Sequence, residues 1–183
     1  MTQDYFEFFG LPRNLVIDAR DLETRFYALS REHHPDLHSR RGPLDRAAAE
    51  EATALLNDGY RVLRDPIARA AYLLKLEGFD MGEQTTKDVP PELLEEVFEL
   101  NMAIEEVRNG EGDSLPQLES SRRRFEAMRA DLDRDMHEKF SQWDRARQRE
   151  TLVAVRGLLN RRKYITNLIA QTNEASSHVS DRV

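Results

Sequence analysis

The sequence has no cysteine among its 183 residues. This absence excludes disulfide bonds, thiolate-bound zinc, iron–sulfur clusters held by cysteine, and cysteine nucleophiles. The sequence also has no apolar run approaching the roughly 20 residues that a helix needs to cross a bilayer, which argues against an integral membrane protein. Glycine-rich phosphate loops, GxSxG elbows and paired-carboxylate motifs are missing as well. These absences disfavour most enzyme classes, and we expect a protein that is not an enzyme and holds no metal or cofactor of its own.

An excess of positive charge is also missing. The chain has 27 Lys+Arg against 34 Asp+Glu, for a net charge of −7. Affinity for nucleic acid depends on neutralising phosphates, so this balance argues against a general nucleic-acid binder. The sequence does not begin with a basic and then apolar signal pattern, and its 23 arginines against 4 lysines are typical of GC-rich bacterial genomes. We therefore expect a cytoplasmic bacterial protein without a membrane partner.

Apolar residues recur at helical spacing almost throughout the chain, whereas few segments alternate with period two. The pattern predicts an all-α fold. Residues 80–91, which contain a glycine, a threonine pair and a proline pair, are predicted to link a domain of residues 1–79 to a three-helix bundle of residues 92–175. Residues 176–183 are expected to form a disordered tail. The predicted helices are Tyr5–Phe9, Asp18 to the residue before Pro35, Leu44–Arg64, Ile67–Leu76, Glu92–Asn109, Leu115–Gln142 and Asp144–Thr172.

Charge is unevenly distributed over the second half of the chain. Residues 80–113 carry 11 acids and 2 bases, and residues 114–183 carry 14 bases and 10 acids. Two interpretations remain open: attraction between helices inside the bundle, or a basic protein partner for the acidic helix. The run Arg122-Arg123-Arg124 is interpreted as a solvated helix face that pairs locally with Glu119 and Glu126.

The most specific motif is His34-Pro35-Asp36, at the end of the second predicted helix. Proline stops the helix, so the imidazole and the carboxylate project from a turn. Such an acid can pair with an arginine of a partner through charge-assisted hydrogen bonds. The motif, its polar loop and the helices on either side resemble the J-domain, which recruits a DnaK-type ATPase chaperone and stimulates its hydrolysis of ATP.

Three longer segments narrow the resemblance. Residues 5–12 (YFEFFGLP), 56–66 (LNDGYRVLRDP) and 69–80 (RAAYLLKLEGFD) are similar to the HscB family, the J-type co-chaperones of iron–sulfur cluster assembly. The resemblance implies an N-terminal J-domain, a helical hairpin with short flanking helices, followed by a C-terminal three-helix bundle. It also implies two protein partners, an HscA-like chaperone that binds the ATP and an IscU-like scaffold protein.

The resemblance assigns chaperone binding to the His-Pro-Asp motif and to basic residues around it. The family usually has a base directly after the aspartate, where this chain has Leu37; Arg40 and Arg41 are candidates to replace that charge. Arg20 and Arg31 lie eleven positions apart and hence on one helical face. The predicted chaperone-binding residues are His34, Pro35, Asp36, Arg20, Arg25, Arg31, Arg40 and Arg41.

The helix after the linker has an unusual outer face. Its buried stripe is predicted from the i, i+4, i+7 pattern of Leu93, Val97, Leu100, Ile104 and Val107. At ~100° per residue, Phe98 and Met102 point nearly opposite this stripe, flanked by glutamates. Apolar side chains beside acids on an outer face indicate an interface, although the same residues could instead cover the linker or the first domain.

The resemblance gives this face a partner. It implies that the scaffold is bound by Leu94, Glu95, Phe98, Glu99, Met102, Glu106 and Tyr164. At Glu95 and Met102 the acidic and apolar types are exchanged relative to the usual pattern. In the last helix the apolar face is predicted from Leu152, Val155, Leu158, Leu159 and Ile169, with Tyr164 and Leu168 largely outside it.

Parts of the sequence are also compatible with other functions. A general J-protein adaptor that delivers a different client is the leading alternative, and a purely structural helical protein is a more distant one. His33, His34, Asp36 and His38 could suggest a metal site, but Pro35 breaks the helical spacing and no second ligand cluster is evident. Trp143 is interpreted as a packing anchor near the turn before the last helix.

Overall fold

The computed structural model describes residues 4–33, 43–79, 91–109 and 115–180. Every regular element in these ranges is a helix, so the all-α prediction is confirmed. None of these helices has the length and apolar character needed to span a membrane. A short 3-10 turn at Pro91–Leu93 precedes the fifth helix. The seven α-helices of these described ranges are α1 (Tyr5–Phe8), α2 (Ala19–Glu32), α3 (Pro43–Arg64), α4 (Pro66–Leu76), α5 (Leu94–Arg108), α6 (Leu115–Ala146) and α7 (Arg149–Ser180).

Three aspartates explain where the first helices begin. Asp4, Asp18 and Asp65 each stand at an N-cap position and accept hydrogen bonds from backbone N–H groups of the first turn that follows. These groups have no partner inside the helix, and a capping carboxylate stabilises such a helix end by about 1 kcal/mol. The cap predicted at Asp18 is confirmed, with its Oδ1 2.7 Å from the backbone nitrogen of Arg20.

The break between α6 and α7 differs from the prediction. The sequence suggested a turn near Trp143, but α6 continues to Ala146 and buries Trp143. The turn lies instead at Arg147, whose φ of 53° is in the left-handed region. The segment contains neither glycine nor proline, so its local sequence gives no signal for this turn.

The disordered tail was also predicted wrongly for residues 176–180, because α7 continues to Ser180. Ala175 is buried in the core of the bundle, and the hydroxyl of Ser176 donates to the carbonyl of Thr172 at 2.9 Å. Packing at this end of α7 favours helix beyond Thr172, where the sequence predicted the helix to end. Residues 181–183 lie outside the described part of the chain.

The chain divides into two compact units. The first comprises Met1–Asp80 together with Phe140–Leu152, and the second comprises Met81–Lys139 together with Val153–Val183. The sequence had grouped residues 140–152 with the bundle, whereas their contacts group them with the first unit. The corner between α6 and α7 therefore belongs structurally with helices that are far away in the sequence.

In the first unit, α3 packs against α1, α2 and α4. One close approach depends on Gly59 in α3, because a Cβ there would lie 2.9 Å from Cε2 of Phe9 and 3.2 Å from the ring of Tyr5. The buried apolar side chains of this unit are Phe6, Phe9, Leu15, Leu22, Ala49, Leu56, Leu63, Ala70, Leu73, Leu74, Phe140, Trp143 and Leu152.

A buried arginine joins three segments of the first unit. Arg69 of α4 is only 6% exposed, and its guanidinium donates to the carbonyls of Leu15, at 3.0 Å, and Leu63. Burial lowers the pKa of Arg69, and the charges of Asp144 and Asp65 oppose that effect. Asp144, in the α6–α7 corner, also accepts from the backbone nitrogens of Leu15 and Val16, each at 2.8 Å.

The second unit is built from α5 and the larger parts of α6 and α7. The buried stripe predicted for α5 is confirmed. Leu93, Leu100 and Val107 are buried, and Val97 and Ile104 are partly buried against the same core. The buried core of this unit includes Leu93, Leu100, Ala103, Val107, Leu118, Phe125, Leu132, Ile165, Leu168, Ile169 and Ala175.

Candidate partner-binding surfaces

The end of α2 leads directly into the His-Pro-Asp motif in the sequence. His33 caps this helix, and its carbonyl accepts a hydrogen bond from the hydroxyl of Thr53 in α3 at 3.3 Å. Its ring stacks on Phe8 with centroids 5.8 Å apart. The last described residue before the motif is thus held against α1 and α3. His34, Pro35 and Asp36 lie outside the described residues, as do Arg40 and Arg41, so their predicted role stays a prediction.

The three arginines predicted on α2 have different surroundings. Arg25 is held inside its own unit: Nη1 donates to the carbonyls of Phe9 and Gly10 at 3.1 and 3.0 Å, and Nε pairs with Asp21 at 3.0 Å. Arg20 and Arg31 are exposed, and neither side chain forms an ion pair with another described residue. The positive charge that α2 can offer to a partner therefore lies at Arg20 and Arg31, while Arg25 connects α2 to the end of α1.

Sequence reasoning missed one residue of this face. Tyr27 is 54% exposed and lies seven residues after Arg20 and four before Arg31. At ~100° per residue these three positions fall within about 40° of one another around the helix. The same helical count applied to the sequence could have found it, because exposed tyrosine and arginine are enriched at protein interfaces.

The second surface is a row of exposed apolar side chains on α5. Leu94, Phe98 and Met102 are 55%, 65% and 48% exposed, and they follow one another at intervals of four residues. We call these three residues the α5 ridge. The outward orientation of Phe98 and Met102, predicted from helical angles, is confirmed. Large apolar side chains in a continuous row on a surface are typical of a protein-binding site.

Acidic residues border the α5 ridge. Glu95 and Glu99 are exposed and Glu106 is half-buried. Two further positions of this face were missed: Asn101 and Glu105 are exposed and lie seven and eleven residues after Leu94, within about 20° of Leu94 by helical angle. Helical periodicity alone could have found Asn101 and Glu105 in the sequence. They were missed because neither residue is apolar and neither is assigned by the family resemblance. The face therefore combines apolar contact area with several negative charges.

The predictions for α7 need one correction. Leu168 was placed outside the apolar face, yet it is only 4% exposed and belongs to the core of the bundle. Tyr164 is partly buried against that same core, and burial raises the pKa of its hydroxyl. The helix is covered over a wider arc than one apolar stripe suggests, because both α5 and α6 contribute to the core around it. Of the predicted scaffold-binding residues, Tyr164 is thus the one most engaged in packing.

Nothing in the described ranges suggests metal chemistry at these surfaces, since they contain no group of three or more His, Asp or Glu side chains that could hold an ion. The arrangement of α2 and α5 suits contacts with other proteins: a tyrosine between two arginines on one helix, and an apolar row beside glutamates on another.

Comparison with family models divides the chain at similar points. Residues 4–72 match the model described as DnaJ domain. Residues 89–173 match the model described as HSCB C-terminal oligomerisation domain. The α2 surface lies within the first match and the α5 ridge within the second.

Several named proteins are similar over most of the chain. A co-chaperone protein HscB homolog of Azoarcus sp. (strain BH72) is 40% identical over 119 residues, which cover 64% of this chain and 67% of that protein. Its counterpart in Chromobacterium violaceum is 33% identical over 135 residues, covering 74% and 75% of the two chains.

Solved structures agree with these relatives. Chaperone HscB from Vibrio cholerae is 28% identical with a TM-score of 0.67, covering 97% of this chain and 99% of that one. Human co-chaperone protein HscB is 25% identical with a TM-score of 0.71, covering 96% and 83%. The similarity therefore extends over both units and does not stop at the first.

Proposed function

The chain belongs to the HscB family of J-domain co-chaperones, and on that premise we propose that it delivers an iron–sulfur cluster scaffold protein to a DnaK-type chaperone and stimulates that chaperone's ATPase. In this scheme the partner chaperone is HscA-like and binds the ATP. The co-chaperone is not an enzyme, needs no cofactor of its own and acts in the cytoplasm.

The observation that carries the proposal is the α5 ridge. Phe98, at 65% exposure, is the most exposed large apolar side chain of the described residues. Each side chain of the α5 ridge would release ordered water on binding. The favourable free energy is roughly 25 cal/mol per Å² of apolar area covered. A scaffold with an apolar patch bordered by bases would match both the ridge and the adjoining glutamates.

The chaperone is engaged through the other unit. Arg20, Tyr27 and Arg31 on α2 supply a docking face, and Asp36 in the His-Pro-Asp motif pairs with a base of the chaperone. Stimulation requires that the J-domain bind the hydrolysis-competent state of the chaperone more tightly than its other states. Because one chain holds both partners, it raises their effective concentration for one another.

A steady-state ATPase assay on the purified chaperone, with scaffold present and absent, tests both parts. Asp36→Ala should abolish stimulation in either condition while thermal unfolding stays near that of the native chain, since the role predicted for this carboxylate is contact with a partner and not packing. Phe98→Ala should weaken scaffold binding by about tenfold or more and reduce the scaffold-dependent stimulation, while leaving stimulation without scaffold unchanged.

Val153→Ala is the matched control for Phe98→Ala, because Val153 is 57% exposed and belongs to α7 and not to α5. It should bind the scaffold like the native chain. A native chain that stimulates the chaperone but does not bind the scaffold would contradict the scaffold assignment and favour an adaptor for another client. Full stimulation by Asp36→Ala would contradict the role of the motif.

A further inference from the structure

Arg124 of α6 connects two helices of the bundle by charge. Its Nη2 lies 3.3 Å from Oε1 of Glu96, and its Nη1 lies 3.3 Å from Oε2 of Glu99. Both glutamates belong to α5, so a single guanidinium spans two carboxylates that are three residues apart. Glu99 is one of the acids that border the α5 ridge.

The neighbouring arginines behave differently. Arg122 pairs with Glu119 and Glu126, and Arg123 pairs with Glu119, all on α6 itself. These pairs are the local ones expected at intervals of three and four residues along a helix. Of the run of three arginines, Arg124 is the one whose described ion pairs reach α5.

Four of the acids near the ridge therefore fall into two groups. Glu96 and Glu99 lie on the edge that faces Arg124 and share its positive charge. Glu95 and Glu105 are exposed, and neither makes an ion pair with another described side chain. A basic partner meets the full charge of the second group, but it competes with Arg124 for Glu99.

We infer that Arg124 sets the affinity of the α5 ridge for the scaffold by holding Glu96 and Glu99, so that it lowers the negative charge that the ridge offers to a basic partner. The inference rests on the proposed function, because the partner is the scaffold that binds this ridge. The scaffold surface it fits is an apolar patch bordered by lysine or arginine side chains. Arg124 thus acts as a specificity-determining residue that does not itself need to touch the scaffold.

The sign of the effect follows from Coulomb's law. Removing the guanidinium raises the local negative charge by one unit and leaves the carboxylate of Glu99 available to a base of the scaffold. Arg124 is half exposed, and solvent-exposed ion pairs are weak, so the expected gain is modest. We expect Arg124→Gln to tighten scaffold binding about two- to fivefold at low salt. The gain should shrink as salt is raised, because exposed charges are screened.

Isothermal titration of the full chain with purified scaffold, at two salt concentrations, measures this effect. Arg123→Gln is the matched control: the neighbouring arginine loses its charge, but its described ion pair is with Glu119 on α6. It should change the affinity less than Arg124→Gln does. Arg124→Lys keeps the charge and should bind like the native chain. In a Glu99→Gln background, Arg124→Gln should show a smaller gain, since Glu96 is then the only one of the two carboxylates that it releases.

Three results would overturn the inference while leaving the proposed function intact. Weaker binding by Arg124→Gln would show that the guanidinium itself contacts acids of the scaffold. Native affinity in Arg124→Gln, or an equal gain in Arg123→Gln, would show that the pairs with α5 do not control the ridge. A native chain that fails to bind the scaffold would instead contradict the proposed function, and this inference with it.

Discussion

Replacing Asp144 by alanine should destabilise the first unit through the α6–α7 corner. The carboxylate of Asp144 accepts from the backbone nitrogens of Leu15 and Val16, 129 and 128 residues away in sequence. It also contributes favourable charge to the buried guanidinium of Arg69, which binds the carbonyl of Leu15. One carboxylate therefore helps to hold the segment after α1, the start of α4 and the corner together.

The size of the effect can be worked from these contacts. A hydrogen bond to a charged acceptor contributes about 1.5–3 kcal/mol, and a donor left unpaired away from water costs a similar amount. The nitrogen of Leu15 is partly buried, whereas that of Val16 is exposed and can bind water instead, so the second bond counts for roughly half. We expect Asp144→Ala to lower the free energy of unfolding of the first unit by about 2–4 kcal/mol.

Urea unfolding followed by tryptophan fluorescence is the assay, because Trp143, the single tryptophan of the chain, is buried in this corner. Hydrogen exchange at the amides of Leu15 and Val16 gives a second, local readout. Arg145→Ala is the control, since that side chain is exposed and pairs with no other described residue. It should stay within about 0.5 kcal/mol of the native chain.

An Asp144→Ala variant whose urea midpoint matches that of Arg145→Ala would contradict the stabilising role of the Asp144 carboxylate. That role would also be refuted if the exchange rates of the two amides were unchanged. Either result would mean that the corner is not held by this carboxylate.

Three further predictions concern stability. Gly59→Ala should destabilise the first unit, because the overpacking of about 1–3 kcal/mol against the buried ring of Phe9 exceeds the gain in helix propensity of about 1 kcal/mol; a raised urea midpoint would contradict this. Gly157→Ala should stabilise the bundle by about 0.5–1 kcal/mol, because nothing lies within 4 Å of the new Cβ, and a lowered midpoint would be the wrong sign. Burial raises the pKa of Tyr72, so the native state holds this proton more tightly than the unfolded state does. The stability that results is complete below about pH 10 and is lost as pH rises through the higher native value. Tyr72→Phe should therefore be less stable at neutral pH, where Tyr5 N loses its acceptor, and should lose less stability as pH rises above about 10; parallel pH curves for the two chains would rule this out.

Much of the helical framework was predictable because its signals are local. Asp18 and Asp65 cap helices through bonds to residues two or three positions on, and Pro66 begins α4. The α5 ridge was predictable for the same reason, since helical periodicity alone separates Phe98 from the buried stripe. The break between α6 and α7 was not, because Arg147 adopts its left-handed conformation where its guanidinium reaches Arg13 and Asn14, more than 130 residues away.

The candidate surfaces show the same division. The pairs of Arg122 and Arg123 with acids on α6 follow from spacing along one helix and are confirmed. Arg124 pairs with Glu96 and Glu99 of α5, and Arg25 donates to carbonyls at the end of α1. Both sets of contacts depend on which helices lie beside these arginines. The burial of Leu168 likewise depends on how much of α7 its neighbours cover.

By itself the amino-acid sequence determined the helices, the outward face of α5 and the family, because periodicity, caps and motifs act over a few residues. Tertiary structure alone decided which charges remain available on each surface and that the α6–α7 corner packs with the first unit. The physical reason is that an ion pair or a buried contact needs a partner within a few ångströms, and distant segments of the chain supply that partner only after folding.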